Sequence, residues 1–442
     1  MSIAPQVRLH SVASRVVPLL RCELHQAGNG TMAILKRHSS TDSDSTSTKS
    51  SASAGEASAI LVASLSDDML AEIILRLPVE SVALSKCVSK TWCATVSDGY
   101  LRRRLPLQLS VVYFPDPDDD AGSARGKARP RFACADSGAG GGMLRDRNLG
   151  FFPFLDVCVV CDACNGLLLL RAAGTRRFYV VDPVTRRWAA LPPPSRDPRL
   201  SMLAFDPSSG SPRRRGYHVV NFTGRWRDRG GEVEVFSSET RAWALRDAEF
   251  GVPAASFSGS VHFHAGAVYV LASDPDCVVR MDVAAADAGG LACAVAELPE
   301  PADGGGGDGR LAHSAGRLHY VATDGALRLK VWVLDGESPS ALQWRLKHAV
   351  KLGDVVELGG ECGGRGSEAR FLAFHPEKDA VYVWSAGKLQ LLEYDLTRKE
   401  VTGAWAFGEG QKNRVVKTWL VPSSMYLSDC LPLADGAHVQ QC

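Results

Sequence analysis

The sequence predicts two kinds of fold in one chain: a short three-helix domain, then a large all-β domain of propeller type. Three observations predict this. Apolar residues recur at helical spacing over roughly residues 60–104. Beyond residue 105, short β-branched runs alternate with Gly, Pro, Asp and Ser clusters. Within that region a strand–turn–strand pattern ending in tryptophan returns at a loose period of about 50 residues.

The helical region is built as follows. Ser66 is a helix N-cap, and Asp67 and Asp68 stand in the electropositive first turn. Met69, Leu70, Ile73, Ile74 and Leu77 then form one apolar face, Glu72 and Arg76 pair at i,i+4, and Pro78 ends the helix. Val79, Val82, Ala83 and Cys87 predict a second helix. Ser89 caps a third that carries Trp92, Cys93 and Val96. A unit of about 40 residues rarely buries enough surface to stand alone. Its high apolar content therefore implies cover from the rest of the chain or from another protein.

In the β-region, residues 178–181, 233–236, 268–271, 330–334 and 381–384 are strand-like. Phe178-Tyr-Val-Val-Asp-Pro-Val-Thr-Arg-Arg-Trp188 parallels Val233-Glu-Val-Phe-Ser-Ser-Glu-Thr-Arg-Ala-Trp243. The tryptophans are 55 residues apart, and Leu298 in Leu-Pro-Glu-Pro lies 55 further on, echoing Leu191-Pro-Pro-Pro. Trp344 and Trp405 follow. The period matches kelch-type propeller blades, four strands each, and the remaining length suits six to eight blades. An irregular β-sandwich is the alternative.

Residues 1–59 are expected to be a disordered extension and linker, with Ser and Thr making up 12 of the 20 residues from 39 to 58. Arg8, Arg15 and Arg21 precede the first acid, Glu23, a pattern shared with organelle-targeting peptides. The preferred reading is a disordered extension, or translation starting at Met32.

The 442 residues carry 50 basic and 49 acidic side chains, so charge gives no reason to expect nucleic-acid or membrane partners. The longest apolar runs are far below the ~18 residues that cross a bilayer. Twelve scattered cysteines without a secretory signal point to a mostly reduced, intracellular protein.

Several clusters suggest chemistry and are outweighed by plainer readings. Cys158, Cys161 and Cys164 have C-x-x-C-x-x-C spacing, but no fourth zinc ligand is near, and buried thiols serve as small hydrophobes. His262 and His264 share a strand face with no third ligand in view. Asp116, Asp118, Asp119 and Asp120 lack the calcium-loop pattern. The glycine runs at 140–142 and 304–307 lack the Lys-Ser/Thr of a phosphate loop and read as flexible loops. The arginines at 102–104, 213–215, 225, 227 and 229 are dispersed, solvated loop residues. No nucleophile motif is legible, so no catalytic residue, metal or cofactor is assigned.

Leu65-Ser-Asp-Asp-Met-Leu-Ala-Glu-Ile-Ile-Leu-Arg-Leu-Pro-Val79 and Cys87-Val-Ser-Lys-Thr-Trp92 resemble an F-box, with Ser66 where that family usually has proline. Cys164-Asn-Gly-Leu, residues 178–194, Ala204-Phe-Asp-Pro207 and Phe374-His-Pro376 are similar to the F-box-associated, kelch-like β-domains of plants, with Asp182 replacing an Asn. The domains expected are therefore 1–59 extension, 60–104 F-box, and 105–442 β-propeller-like.

The resemblance implies a non-catalytic substrate receptor of a Skp–cullin–F-box ubiquitin ligase. The F-box would dock on a Skp-type adaptor, the adaptor on a cullin, and the β-domain on an unknown target protein. Candidate adaptor contacts are Leu65, Leu70, Ile73, Ile74, Leu77, Pro78, Val79, Val82, Val88 and Trp92. Spacing does not separate these from the block's own core. The alternatives are a free-standing propeller interaction module and, ranked lower, a propeller enzyme using the cysteines or histidines with a metal.

Overall fold

A computed structural model describes residues 66–77, 81–82, 85, 88–97, 107–115, 130–136, 141–206, 216–226, 228–283, 290–300, 309–323, 328–335, 343–351, 369–408, 413–422 and 431. The chain divides into two compact units, Met1–Pro106 and Leu107–Cys442.

In the first unit, α1 spans Asp67–Ile74 and α2 spans Lys90–Ser97, and residues 81, 82 and 85 are also helical. Both caps are where the sequence puts them. The Ser66 hydroxyl accepts from the Met69 amide at 3.3 Å, and the Ser89 hydroxyl from the Trp92 amide at 3.2 Å. Glu72 and Arg76 approach to 3.7 Å.

Among the described residues, the second unit is a propeller of six four-stranded blades. Its first three strands are β1 (Leu107–Pro115), β2 (Arg131–Ala135) and β3 (Gly141–Asp146). They are completed by the last described strand, as set out below. The first consecutive blade is β4 (Cys158–Cys164), β5 (Leu167–Ala172), β6 (Phe178–Asp182) and β7 (Arg187–Ala190). The second is β8 (Leu200–Phe205), β9 (Tyr217–Trp226), β10 (Gly230–Ser237) and β11 (Ala242–Glu249). The third is β12 (Phe257–His264), β13 (Ala267–Ser273), β14 (Asp276–Asp282) and β16 (Cys293–Glu297). A two-residue strand in its last connection, β15 (Gly290–Leu291), instead joins the edge of the second blade beside β11. The fourth is β17 (Arg310–Ser314), β18 (Arg317–Thr323), β19 (Arg328–Asp335) and β20 (Gln343–Lys351). The fifth is β21 (Ala369–Phe374), β22 (Ala380–Ser385), β23 (Gln390–Asp395) and β24 (Glu400–Ala406).

The sixth blade is assembled from both ends of the unit. Strand β25 (Asn413–Pro422) pairs antiparallel with β1 from Leu107↔Pro422 to Pro115↔Asn413, and β2 and β3 lie outside β1. Against the expected six to eight, the described residues form six blades, and the sandwich alternative is excluded by the strand order. Gly141, expected in a flexible loop, opens β3, which runs parallel beside β24. Any Cβ there would collide with the Ala404 backbone carbonyl, so glycine is what lets the two edges meet.

Apolar residues from facing sheets fill the spaces between blades. Met202, Val220, Val233, Val268 and Val279 join the second and third, and Leu169, Val180, Leu203 and Val219 join the first and second. Val331, Val383 and Leu392 join the fourth and fifth, and Val111, Tyr382, Leu391 and Val415 join the fifth and the closing blade. Full burial on both faces explains why second and third strands read as near-continuous apolar runs rather than alternating ones.

The tryptophan period has a packing cause. Trp188, Trp243, Trp344 and Trp405 all lie on the fourth strand of a blade. Each rests on an aromatic ring of its own blade: Trp188 on Tyr179, Trp243 on Phe236, Trp344 on Tyr320 and Trp405 on Tyr382. The turns before three of these strands also repeat. Arg186, Arg241 and Lys399 each take a left-handed φ, of 57°, 54° and 59°. Asp182 caps the first turn by accepting from the Val184 and Thr185 amides at 2.9 and 3.1 Å, as Asp395 does for Thr397 and Arg398.

Burial of Asp182 pushes its carboxyl above the usual range despite those donors. A neutral amide keeps the same turn and removes the buried charge. Asp182→Asn is expected to stabilise the protein by roughly 1 kcal/mol at pH 7, the order of a desolvation cost that hydrogen bonds only partly offset. The gain should vanish as pH falls and the aspartate protonates. Urea denaturation at pH 7 and pH 4 checks both statements.

Candidate functional site

Two regions are candidates, one in each unit. In the helical unit, six of the ten predicted adaptor contacts are covered by the chain itself. Leu70, Ile73, Ile74, Leu77, Val82 and Trp92 are all buried, which is what an i, i+3, i+4 stripe facing a neighbouring helix does. Their burial fits the own-core role that spacing alone did not separate from adaptor contact. Val88 is 39% exposed, and Met69, absent from the predicted set, is 44% exposed. Met69 sits in the first turn of α1, where the Ser66 hydroxyl accepts from its amide. Leu65, Pro78 and Val79 lie outside the described residues, as do Asp116 to Asp120, Gly304 to Gly307 and the arginines at 102–104 and 213–215.

In the propeller, one strand from each of the six blades (β4, β8, β12, β17, β21 and β25) lines one cavity of about 270 Å3. Its walls carry Asp162 from β4, His262 from β12, Arg310 and His313 from β17, and Lys417 and Thr418 from β25. Asp162 ties three blades together. Its Oδ1 accepts from the Ala163 amide at 2.7 Å and from Lys417 Nζ at 2.6 Å, and its Oδ2 from the Leu203 amide at 2.9 Å. The Asp162 side chain is 9% exposed and that of Lys417 40%. A β-bulge between Val160 and Asp162 sets this up, because the extra residue, Cys161, re-aims the strand that follows.

Tight turns at the end of these strands continue the ring of contacts. Asn165 and Gly166 form a two-residue hairpin with φ of 44° and 94°, the type I′ geometry that Asn-Gly adopts readily. The Asn165 amide donates to the Phe205 carbonyl of the next blade at 2.8 Å. Ser314 Oγ donates to the His375 carbonyl at 2.7 Å, linking the fourth blade to the fifth.

The cysteine and histidine clusters resolve into packing and hydrogen bonding. Burial raises all three thiols of β4, Cys161 to about 11 and Cys164 to about 12, which suppresses the thiolate form that a metal or nucleophile needs. Cys164 also donates to the Phe205 carbonyl. His262 Nε2 meets His313 Nδ1 at 2.8 Å, and His264 stacks on His313 with ring centres 4.7 Å apart while its Nε2 meets the Gly316 carbonyl at 3.2 Å. Burial lowers all three imidazoles, His313 to about 4, so they are neutral near pH 7. Among the described residues no His, Cys, Asp or Glu group is arranged to hold a metal ion. No described helix is long and apolar enough to cross a membrane.

Sequence reasoning found His262 and His264 but missed His313, Asp162, Arg310, Thr418 and Lys417. Aligning Ala265-Gly266 with Ala315-Gly316, both left-handed hairpin turns 50 residues apart, brings His313 beside the pair. Nothing local connects Asp162 with Lys417, which are 255 residues apart.

Comparison with known families agrees with the geometry. Residues 63–104 match the F-box domain, and residues 153–424 match the β-propeller of F-box protein At3g26010-like proteins. The chain belongs to this F-box propeller family. It is an F-box protein of the substrate-adaptor type, in a family whose members are typically non-catalytic. The F-box protein At3g26010 of Arabidopsis thaliana is 24% identical over 79% of this chain and 81% of its own length. A putative F-box/kelch-repeat protein, At4g22430, is 23% identical over 76% and 79%, and putative F-box protein At1g12855 is 31% identical over 30% and 31%, both from the same plant. The propeller match begins after β3, so the three strands that complete the sixth blade lie outside it.

The Asp162 clasp has a measurable asymmetry. Asp162→Ala strips acceptors from two backbone amides and from Lys417, and is expected to cost roughly 3 kcal/mol, as breaking a buried pair does. Lys417→Met removes the more exposed partner and is expected to cost about 1 kcal/mol. Thermal or urea unfolding of the two variants beside the wild type checks the order.

Proposed function

We propose that this F-box propeller protein is the substrate-recognition subunit of a Skp–cullin–F-box ubiquitin ligase. The F-box docks on a Skp-type adaptor and through it on a cullin. The propeller holds a target protein for ubiquitination. Transfer chemistry belongs to other subunits, and this chain contributes proximity and orientation without being an enzyme. The reading assigns its work to the cytoplasm and/or nucleus. The observation that carries it is the F-box at residues 63–104 on the same chain as a propeller of the matching family.

The helical unit supports a division of labour. Its buried stripe holds the helices together, leaving Met69 and Val88 as the exposed large apolar side chains of its described part. Exposed apolar anchors of this kind, desolvated by a partner, can each be worth about 2 kcal/mol or more in binding. Co-expression of the full chain with a Skp-type adaptor, followed by size-exclusion chromatography, is expected to give a one-to-one complex. Met69→Asp with Val88→Asp is expected to abolish co-elution while leaving the unfolding temperature unchanged, because neither side chain is in the core. Separate elution of folded wild-type protein and adaptor would reject the reading and leave a free-standing interaction module.

A further inference from the structure

Arg225 and Arg229, expected to be dispersed loop residues, stand in a gathered set. Strand β5 is antiparallel to β6, and β6 to β7, so the β5–β6 turn (173–177) and the β7–β8 connection (191–199) leave the first blade at the same end. Strand β8 starts there, and its antiparallel pairing with β9 puts the β9–β10 turn at that end too. These three segments carry Arg176 and Arg177, Arg196 and Arg199, and Arg225 and Arg229.

Contacts join the segments into one rim. Arg176 donates to the Ser195 carbonyl at 2.9 Å and pairs with Asp197 at 3.6 Å. The Arg199 amide donates to the Phe222 carbonyl at 2.8 Å, and its side chain lies across Gly224, where a Cβ would come to 3.0 Å from it. Arg196 and Arg225 approach the same carboxylate, Glu232, at 3.9 and 3.8 Å. The middle connection is stiff. It contains Pro192, Pro193 and Pro194, its Ser195 and Arg196 amides donate to the buried Glu234 at 2.8 and 3.4 Å, and Trp243 Nε1 donates to the Pro192 carbonyl at 2.6 Å.

The acids nearby do not balance these cations. With Arg227, which lies outside the described residues, the three segments hold seven arginines against Asp197 and Asp228. The adjoining strands β5, β10 and β11 add Arg171 and Arg246 against Glu232, Glu234, Asp247 and Glu249, which leaves an excess of three positive charges. Arg147 and Asp156, at the entry to the first blade, cancel. Arg177, Arg199 and Arg229 are exposed and have no acidic partner among the described residues. A guanidinium fork matches a carboxylate in two-point contact. Like charges held close by a stiff loop repel one another, and carboxylates laid among them relieve that repulsion.

We infer that this rim is a docking surface for an acidic segment of the target protein, an extended run of Asp and Glu side chains laid across the arginines of the three connections. The inference rests on the substrate-receptor reading and adds which surface takes the target and by what chemistry. A nucleic acid is disfavoured, because a net charge of +1 gives no long-range field for a polyanion and Asp197 and Asp228 stand among the arginines.

A fluorescein-labelled oligoglutamate peptide and its oligoglutamine counterpart, followed by fluorescence polarisation with the full-length protein, test this. Saturable binding of oligoglutamate is expected, at least about tenfold tighter than oligoglutamine and weakened by added salt. Arg177→Gln with Arg199→Gln is expected to weaken oligoglutamate about tenfold, the loss of two exposed ion pairs, at an unchanged unfolding temperature. Arg241→Gln with Lys399→Gln removes two exposed cations from third-to-fourth-strand turns, at the other end of their blades, and is expected to leave the affinity unchanged. No saturable binding, equal affinity for the two peptides, unchanged affinity in the Arg177 and Arg199 variant, or an equal loss in the Arg241 and Lys399 variant would each overturn the assignment. So would a single-stranded RNA of the same charge that binds more tightly than oligoglutamate. Wild-type protein that co-elutes with the adaptor but ignores oligoglutamate would reject this surface alone, whereas separate elution rejects the receptor reading whatever the peptide does.

Discussion

Everything in the larger unit depends on closing the ring. A twisted four-stranded sheet has two apolar faces, and each must be covered by the next sheet. In an open row the first and last sheets would each leave one face in water. Pairing β25 with β1 removes that problem with backbone hydrogen bonds, because one blade is then shared by the two ends of the unit. Apolar packing of Val111 and Val415 against Tyr382 and Leu391 holds that blade to the fifth, and Lys417 with Asp162 holds it to the first. The cost in chain entropy of joining ends some 300 residues apart grows only slowly with loop length, and it is set against burial along two complete sheet faces.

The ring also controls its own edges. Outer strands with free edges invite pairing with other chains. Here β3 lies parallel to β24 and β15 lies parallel to β11, so three of the blade edges, those of β3, β24 and β11, are occupied by segments of the same chain. The longest uncapped outer strand in the described structure is β20, which carries Arg345, Lys347 and Lys351. Charges on an exposed edge are a common protection against such pairing. Arg345 and Lys347 are held at that edge by Asp335 and Asp379, respectively.

What could be read from the sequence follows how local each cause is. The caps at Ser66 and Ser89 are three-residue events and were legible. So was the blade repeat, because each tryptophan packs within its own blade, and so was the F-box, whose motif is continuous. The partition of the helical block was not legible. Leu70 and Met69 are adjacent and both apolar, yet one is buried and the other exposed, a distinction set by where the next helix lies. Blade number was open because the closing blade has no repeat of its own: β1 to β3 and β25 are at opposite ends of the unit. The channel was invisible for the same reason, since Asp162, His313 and Lys417 come from three blades and meet only on the axis.

Native-state hydrogen exchange of β25 tests the closure most directly. If the ring is held by that strand, the amides of β25 paired with β1 exchange only through global unfolding, as slowly as those of fully interior strands such as β13 and β22. Fast exchange in β25 while β13 and β22 remain protected would mean that the ring opens without the blades unfolding. The closing strand would then be an accessory to the fold rather than its fastening.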